Sequence, residues 1–183
     1  GGVREDDFYE AVIGTIRSRF SWLLVNLMTA VFASIVIGFF DAAIEKVVAL
    51  AILMPIVASR GGNAGTKTPA VAVRALAVRE LIATNALRIV GKETLVGGIN
   101  GVIFAVLIGG IASLWFDDPT IGGIIGLAMI VNLLLAGLAG TVIPLALYHL
   151  GVDPAVSSAV VLTTVTGVVG FLSFLGLAAM VFL

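Results

Sequence analysis

Residues 55–74 read PIVASRGGNAGTKTPAVAVR, a polar and irregular stretch set inside an apolar run. Three glycines, Asn63, Thr66, Thr68, Arg60, Lys67 and a second proline, Pro69, fall within it. In hydrocarbon an unpaired backbone or side-chain polar group costs several kcal/mol, so such a segment survives only against protein or a water-filled cavity. Ionisable side chains at membrane depth mark functional sites by default. The stretch therefore reads as the lining of a permeation path or binding cavity. On a helix, Arg60, Lys67 and Arg74 share one face two turns apart, with Asn63 beside them. That face is positive, an unexpected sign for a cation pore.

The surrounding composition gives the stretch its setting. Of 183 residues, 60% are hydrophobic and only 11% charged, with a mean hydropathy of +1.20. Soluble domains carry about 25% charged residues, so the chain is expected to be an integral membrane protein of the lipid bilayer. The absence of cysteine excludes a disulfide framework or thiolate metal site, and a single histidine, His149, excludes a multi-histidine site within one chain. No enzyme constellation, organic cofactor site or nucleic-acid signature is present. The Gly-rich GGNAGTK lacks the GxxxxGK[ST] spacing of a phosphate loop. A start at Gly-Gly-Val, with neither Met nor signal-like pattern, is expected of a piece of a longer protein or a processed chain.

Five apolar spans of about 20 residues or more are expected, which makes the fold all-α with five transmembrane helices per protomer. They cover residues 21–40, 47–70, 94–116, 121–147 and 155–183, the last following Gly151-Val152-Asp153-Pro154. Residues 1–20 form a separate region, with an amphipathic juxtamembrane helix over 6–19, ahead of a membrane domain at 21–183. Residues 75–93 suit a surface helix joining spans two and three. One side of the membrane receives Arg4, Arg17, Arg19, Arg74, Arg79, Arg88 and Lys92, and the other only Lys46. This bias places the amino terminus in the cytoplasm, in a multi-pass protein of the cell membrane. Gly97 with Gly101, and Ala136 with Gly140, are four apart and suit close helix packing, as do Thr163, Gly167 and Gly170. Asn100 and Asn132 sit mid-span, where a bond between helices or a pore lining would satisfy them. Pro55 and Pro144 are expected to kink spans two and four.

Several of these motifs together resemble the MgtE family of magnesium channels. They are Pro55-Ile56-Val57-Ala58, Gly61-Gly62-Asn63-Ala64-Gly65 and Arg74-Ala75-Leu76-Ala77, with Asn132, Pro144 and Gly151-Val152-Asp153-Pro154-Ala155 further on. The resemblance covers essentially the whole chain. It implies a homodimer whose pore lies on the two-fold axis and whose cargo is Mg²⁺, with Mn²⁺ or Co²⁺ as further cations. It also implies paired cytosolic CBS domains in the full-length protein, outside these residues, and a plug-like role for the helix over 6–19. Site residues carried over are Asn63, Ser59 and Gly62 in span two, and Asp153, Thr163 and Gly167 at span five, with Thr66 lining the path. The sequence departs from the family pattern where the chemistry should lie. Gly167 occupies the position of the family's central aspartate, Lys67 replaces a usual Gln, and Arg60 replaces a small residue or Met. Two function classes stand beside divalent-cation transport for that reason: an anion or small-solute pathway with inverted selectivity, and a non-conducting membrane module.

Overall fold

The computed structural model describes residues 2–59, 83–151 and 154–183, with side chains over 5–59, 87–151 and 160–183. All the described elements are helices. In order they are α1 (Gly2–Gly38), the short α2 (Asp41–Lys46), α3 (Ala49–Ser59), α4 (Ala83–Trp115), α5 (Pro119–His149) and α6 (Pro154–Phe182). Four stretches, Glu5–Gly38, Leu87–Trp115, Pro119–His149 and Val160–Phe182, are long and apolar enough to cross a membrane. The described part of α3 is shorter, roughly 16 Å at 1.5 Å per residue.

α5 is the central element, because apolar and small residues occupy its whole circumference and neighbours can pack on both sides. Ile121, Ile125, Met129, Leu133 and Ala136 are buried along it. Asp118 caps its start, accepting a hydrogen bond from the Thr120 amide at 2.9 Å, and Pro119 occupies the first turn, where no amide is needed. Its end is closed by Gly151 at φ +78°, whose amide reaches the Tyr148 carbonyl. Pro144 lies buried inside the helix.

α4 and α5 form an antiparallel hairpin in which backbone meets backbone. A Cβ built on Gly97 would stand 2.5 Å from the Leu133 carbonyl oxygen, and one on Gly101 3.0 Å from the Ile130 Cα. From the other side, a Cβ on Gly137 would collide with the Glu93 carbonyl, and one on Gly122 with Ser113 Oγ and the Gly109 carbonyl. The expected packing role of the Gly97–Gly101 pair is met here, with α5 as the partner. On the opposite side of α5, Leu50, Leu53 and Val57 of α3 join Phe174, Leu175 and Ala178 of α6 in one apolar cluster. α1 packs along α6 and is otherwise largely exposed.

Two boundaries drawn from the sequence are absent as breaks in the backbone. α1 runs through residues 20 and 21 as one helix, and α4 runs through 93 and 94. A change from polar to apolar side chains alters the preferred solvent but leaves the i→i−4 ladder intact. Neither junction holds a proline or glycine to interrupt it. A break does occur between Lys46 and Ala49, where Val47 is extended at φ −130°, ψ 92°. It separates α2 from α3.

Candidate functional site

The site residues divide between described and undescribed segments. Arg60, Gly62, Asn63, Thr66, Lys67 and Asp153 lie outside the described residues, as does Pro69. Ser59 is exposed at the last described position of α3. Thr163 is exposed on α6, and Gly167, one turn on, is half-buried. A Cβ on Gly167 would meet none of the described atoms within 4 Å. Gly170, placed with it by the sequence on one packing face, behaves differently. A Cβ there would stand 2.9 Å from Asn132 Nδ2 and 3.2 Å from Val57 Cγ1. Gly170 is thus a contact glycine, while Gly167 meets no described neighbour.

Depth follows from two anchor points. Lys46 Nζ donates to the Phe182 carbonyl, which puts the start of α3 beside the end of α6. Val57 lies against Gly170 near the middle of α6. α3 and α6 therefore run antiparallel. Ser59 is ~3 Å beyond Val57, and Gly167 ~4.5 Å beyond Gly170 in the same direction, so the two fall at nearly one level. Thr163 follows ~6 Å further. Ser59 of α3 and Gly167 of α6 thus share a level, with the Thr163 hydroxyl one turn further along α6.

The hydroxyls deeper in α6 are committed to their own backbone. Thr164 donates to the Val160 carbonyl at 2.8 Å, buried Thr166 to Leu162 at 2.9 Å, and Ser173 to Val169 at 2.7 Å. Such i−4 bonds satisfy a hydroxyl within an apolar helix. The two mid-span asparagines part company. Asn100 is exposed on α4, whereas Asn132 is fully buried and donates through Nδ2 to the Val57 carbonyl at 3.3 Å. The sequence marks Asn132 as a polar residue in need of a partner but holds no signal for Val57, 75 residues away. Among the described residues no three His, Cys or acidic side chains gather into a metal-holding group.

Apolar membrane-length helices, a glycine-packed hairpin and a short helix leading into a polar stretch define a multi-pass, all-helical membrane protein. Residues 54–177 match the family MgtE, described as divalent cation transporters, and the chain belongs to that family. It is 31% identical over 160 residues to the magnesium transporter MgtE of Bacillus subtilis, covering 87% of this chain and 36% of that protein. The magnesium transporter MgtE of Thermus thermophilus is 32% identical over 161 residues, 88% of this chain and 36% of the relative. That of Enterococcus faecalis is 30% identical over 179 residues, 98% and 40%. The chain therefore spans about two fifths or less of the length of these relatives.

Proposed function

We propose that this chain is the membrane domain of a divalent-cation transporter whose cargo is Mg²⁺. It acts as a two-fold homodimer in the cell membrane, with the path on the dimer axis and the amino terminus in the cytoplasm. The observation that carries the reading is the family match over residues 54–177, a range that takes in α5 and most of α6 as well as the polar stretch. Three relatives named as magnesium transporters, alike over most of the chain, support the cargo.

Five crossings are supported by the course of the helices. Lys46 and Phe182 meet at one end, α6 runs from the opposite end, and α4 and α5 form a hairpin. In this reading the segment from Val47 to the start of α4 supplies the further crossing. Arg4, Arg17 and Arg19 in the first half of α1 and Arg88 and Lys92 in the first turns of α4 gather at the end that this reading assigns to the cytoplasm.

Mg²⁺ sheds its water reluctantly and is commonly held through that water by one or two carboxylates. Hydroxyls and carbonyls suit contact with a hydrated ion. In this reading Ser59, Gly62 and Asn63 offer acceptors from span two, and Thr163 and Asp153 from span five. Gly167 leaves the central position without a carboxylate, so conduction is slow for the family. Cation passage in this reading requires that the positive charges of Lys67 and Arg60 extend toward water, off the axis. Paired CBS domains of the full-length protein supply regulation.

Reconstitution into liposomes with separate Mg²⁺, Mn²⁺, Co²⁺ and chloride flux measurements tests the reading. Saturable Mg²⁺ uptake is the expected result. Chloride flux with no divalent flux would turn the assignment to an anion pathway, and no flux of any ion would leave a non-conducting module.

A further inference from the structure

Asn132 is fully buried midway along α5, and its Nδ2 donates to the Val57 carbonyl at 3.3 Å. Its Oδ1 is buried as well and accepts from no donor among the described residues. A buried acceptor left unmatched costs at least as much as one neutral hydrogen bond of this length returns. An apolar side chain of the same size would serve stability as well or better. What the amide supplies, and an apolar contact lacks, is direction: burial is non-directional, whereas one buried polar contact selects a register. Gly170 makes this contact possible. A Cβ on Gly170 would stand 2.9 Å from Asn132 Nδ2, 3.3 Å from Asn132 Cγ and 3.2 Å from Val57 Cγ1. The amide of α5 and the carbonyl of α3 thus meet in a gap that α6 leaves open.

Val57 stands two residues before Ser59, three before Arg60 and six before Asn63. Its carbonyl is therefore the last anchored point described before the polar stretch. We propose that Asn132 is a positioning residue for the ion path: through Val57 it fixes the depth and rotation of α3 against α5 and α6, and so the placement of Ser59 at the end of α3. Asn132 touches no ion. The proposal rests on the divalent-cation reading above, which assigns no role to this residue.

The test uses the whole chain in liposomes and compares the parent with Asn132→Leu. The variant should keep or raise the melting temperature, because the unmatched acceptor is gone. Amide hydrogen exchange in the peptide covering 49–59 should quicken roughly fivefold, the equivalent of one net hydrogen bond, with α4 unchanged. Maximal Mg²⁺ uptake should fall several-fold, and the preference for Mg²⁺ over Co²⁺ should narrow. Gly170→Ala should quicken the same exchange by crowding the amide, yet add nothing further when combined with Asn132→Ala. A folded Asn132→Leu protein with parental exchange and uptake would overturn the proposal. So would a lowered melting temperature with faster exchange in every helix, the mark of a residue that only holds the core together. If the parent carries no divalent ion, the transport reading fails by itself, and the exchange and double-variant measurements still decide what Asn132 does.

Discussion

Lys46 and Phe182, 136 residues apart in sequence, are joined by a hydrogen bond from the Lys46 ammonium to the Phe182 carbonyl. The last carbonyls of a helix have no intrahelical donor, and the negative end of the helix dipole lies there. A cation in this place satisfies one of them and ties the turn between α1 and α3 to the end of α6. Lys46→Met should lower thermal stability slightly, at the low end of the roughly 0.3–1 kcal/mol typical of a cation at a helix carboxyl end. The loss should shrink as salt rises. A salt-independent loss in detergent melts would contradict an electrostatic origin.

The hairpin glycines divide into two groups. Gly122→Val would drive a side chain into the Gly109 carbonyl, which belongs to a helix backbone and cannot turn aside. A loss of about 1–3 kcal/mol or more is expected, or failure to fold. Gly110 and Gly123 meet nothing within 4 Å. Alanine at either should be neutral, or should stabilise by up to ~1 kcal/mol through helix propensity. Melting temperatures of the three variants check the division.

Gly167→Asp should meet no steric conflict with the described residues. Facing a hydrated path, the new carboxylate should raise Mg²⁺ affinity and flux, and Lys67→Gln should enlarge the gain by lowering the positive charge of the domain. Facing lipid, it would instead cost about 2.5–3.5 kcal/mol at mid-membrane. Uptake and thermal melts together separate these outcomes. A folded Gly167→Asp, Lys67→Gln protein without increased Mg²⁺ flux would show that the path lies elsewhere.

Orientation can be read with cysteines, because the chain has none of its own. Thr120→Cys, exposed at the start of α5, should react with an impermeant thiol reagent from outside the cell. Arg88→Cys, exposed near the start of α4, should react only from the cytoplasm. The reverse pattern would invert the topology.

Much of the fold was legible because hydrophobic length and turn chemistry are local. The expected spans at 94–116 and 121–147 leave an interruption at 117–120, and Asp118 and Pro119 start α5 there. Residues 94–116 and 121–147 fall within α4 and α5 to within a residue at the ends. The continuity of α1 and α4 was not legible, since a change in polarity looks like a boundary even where the backbone continues. At the site, the sequence marks Gly167 and Gly170 alike as small residues on a shared face. Only the placement of α3 and α5 distinguishes them, for Gly170 has Asn132 against it and Gly167 has no described atom within 4 Å of its Cβ direction. The partner of Asn132 was likewise beyond reach, because a contact across 75 residues is set by how helices stack and not by spacing along one of them.

The seam between α4 and α5 also bears on how this domain can move. Carbonyls and α-carbons there occupy the places that β-carbons would fill, at Gly97, Gly101, Gly122 and Gly137 alike. Sliding one helix past the other would bring carbonyl groups into collision within a fraction of a turn, so the pair shifts as a slab. The other side of α5 is built from side chains such as Leu53, Phe174 and Leu175, which can change rotamer and accommodate shear. Strain entering the domain should therefore be absorbed between the slab and the α3–α6 layer, along the side of α5 that faces α3 and α6.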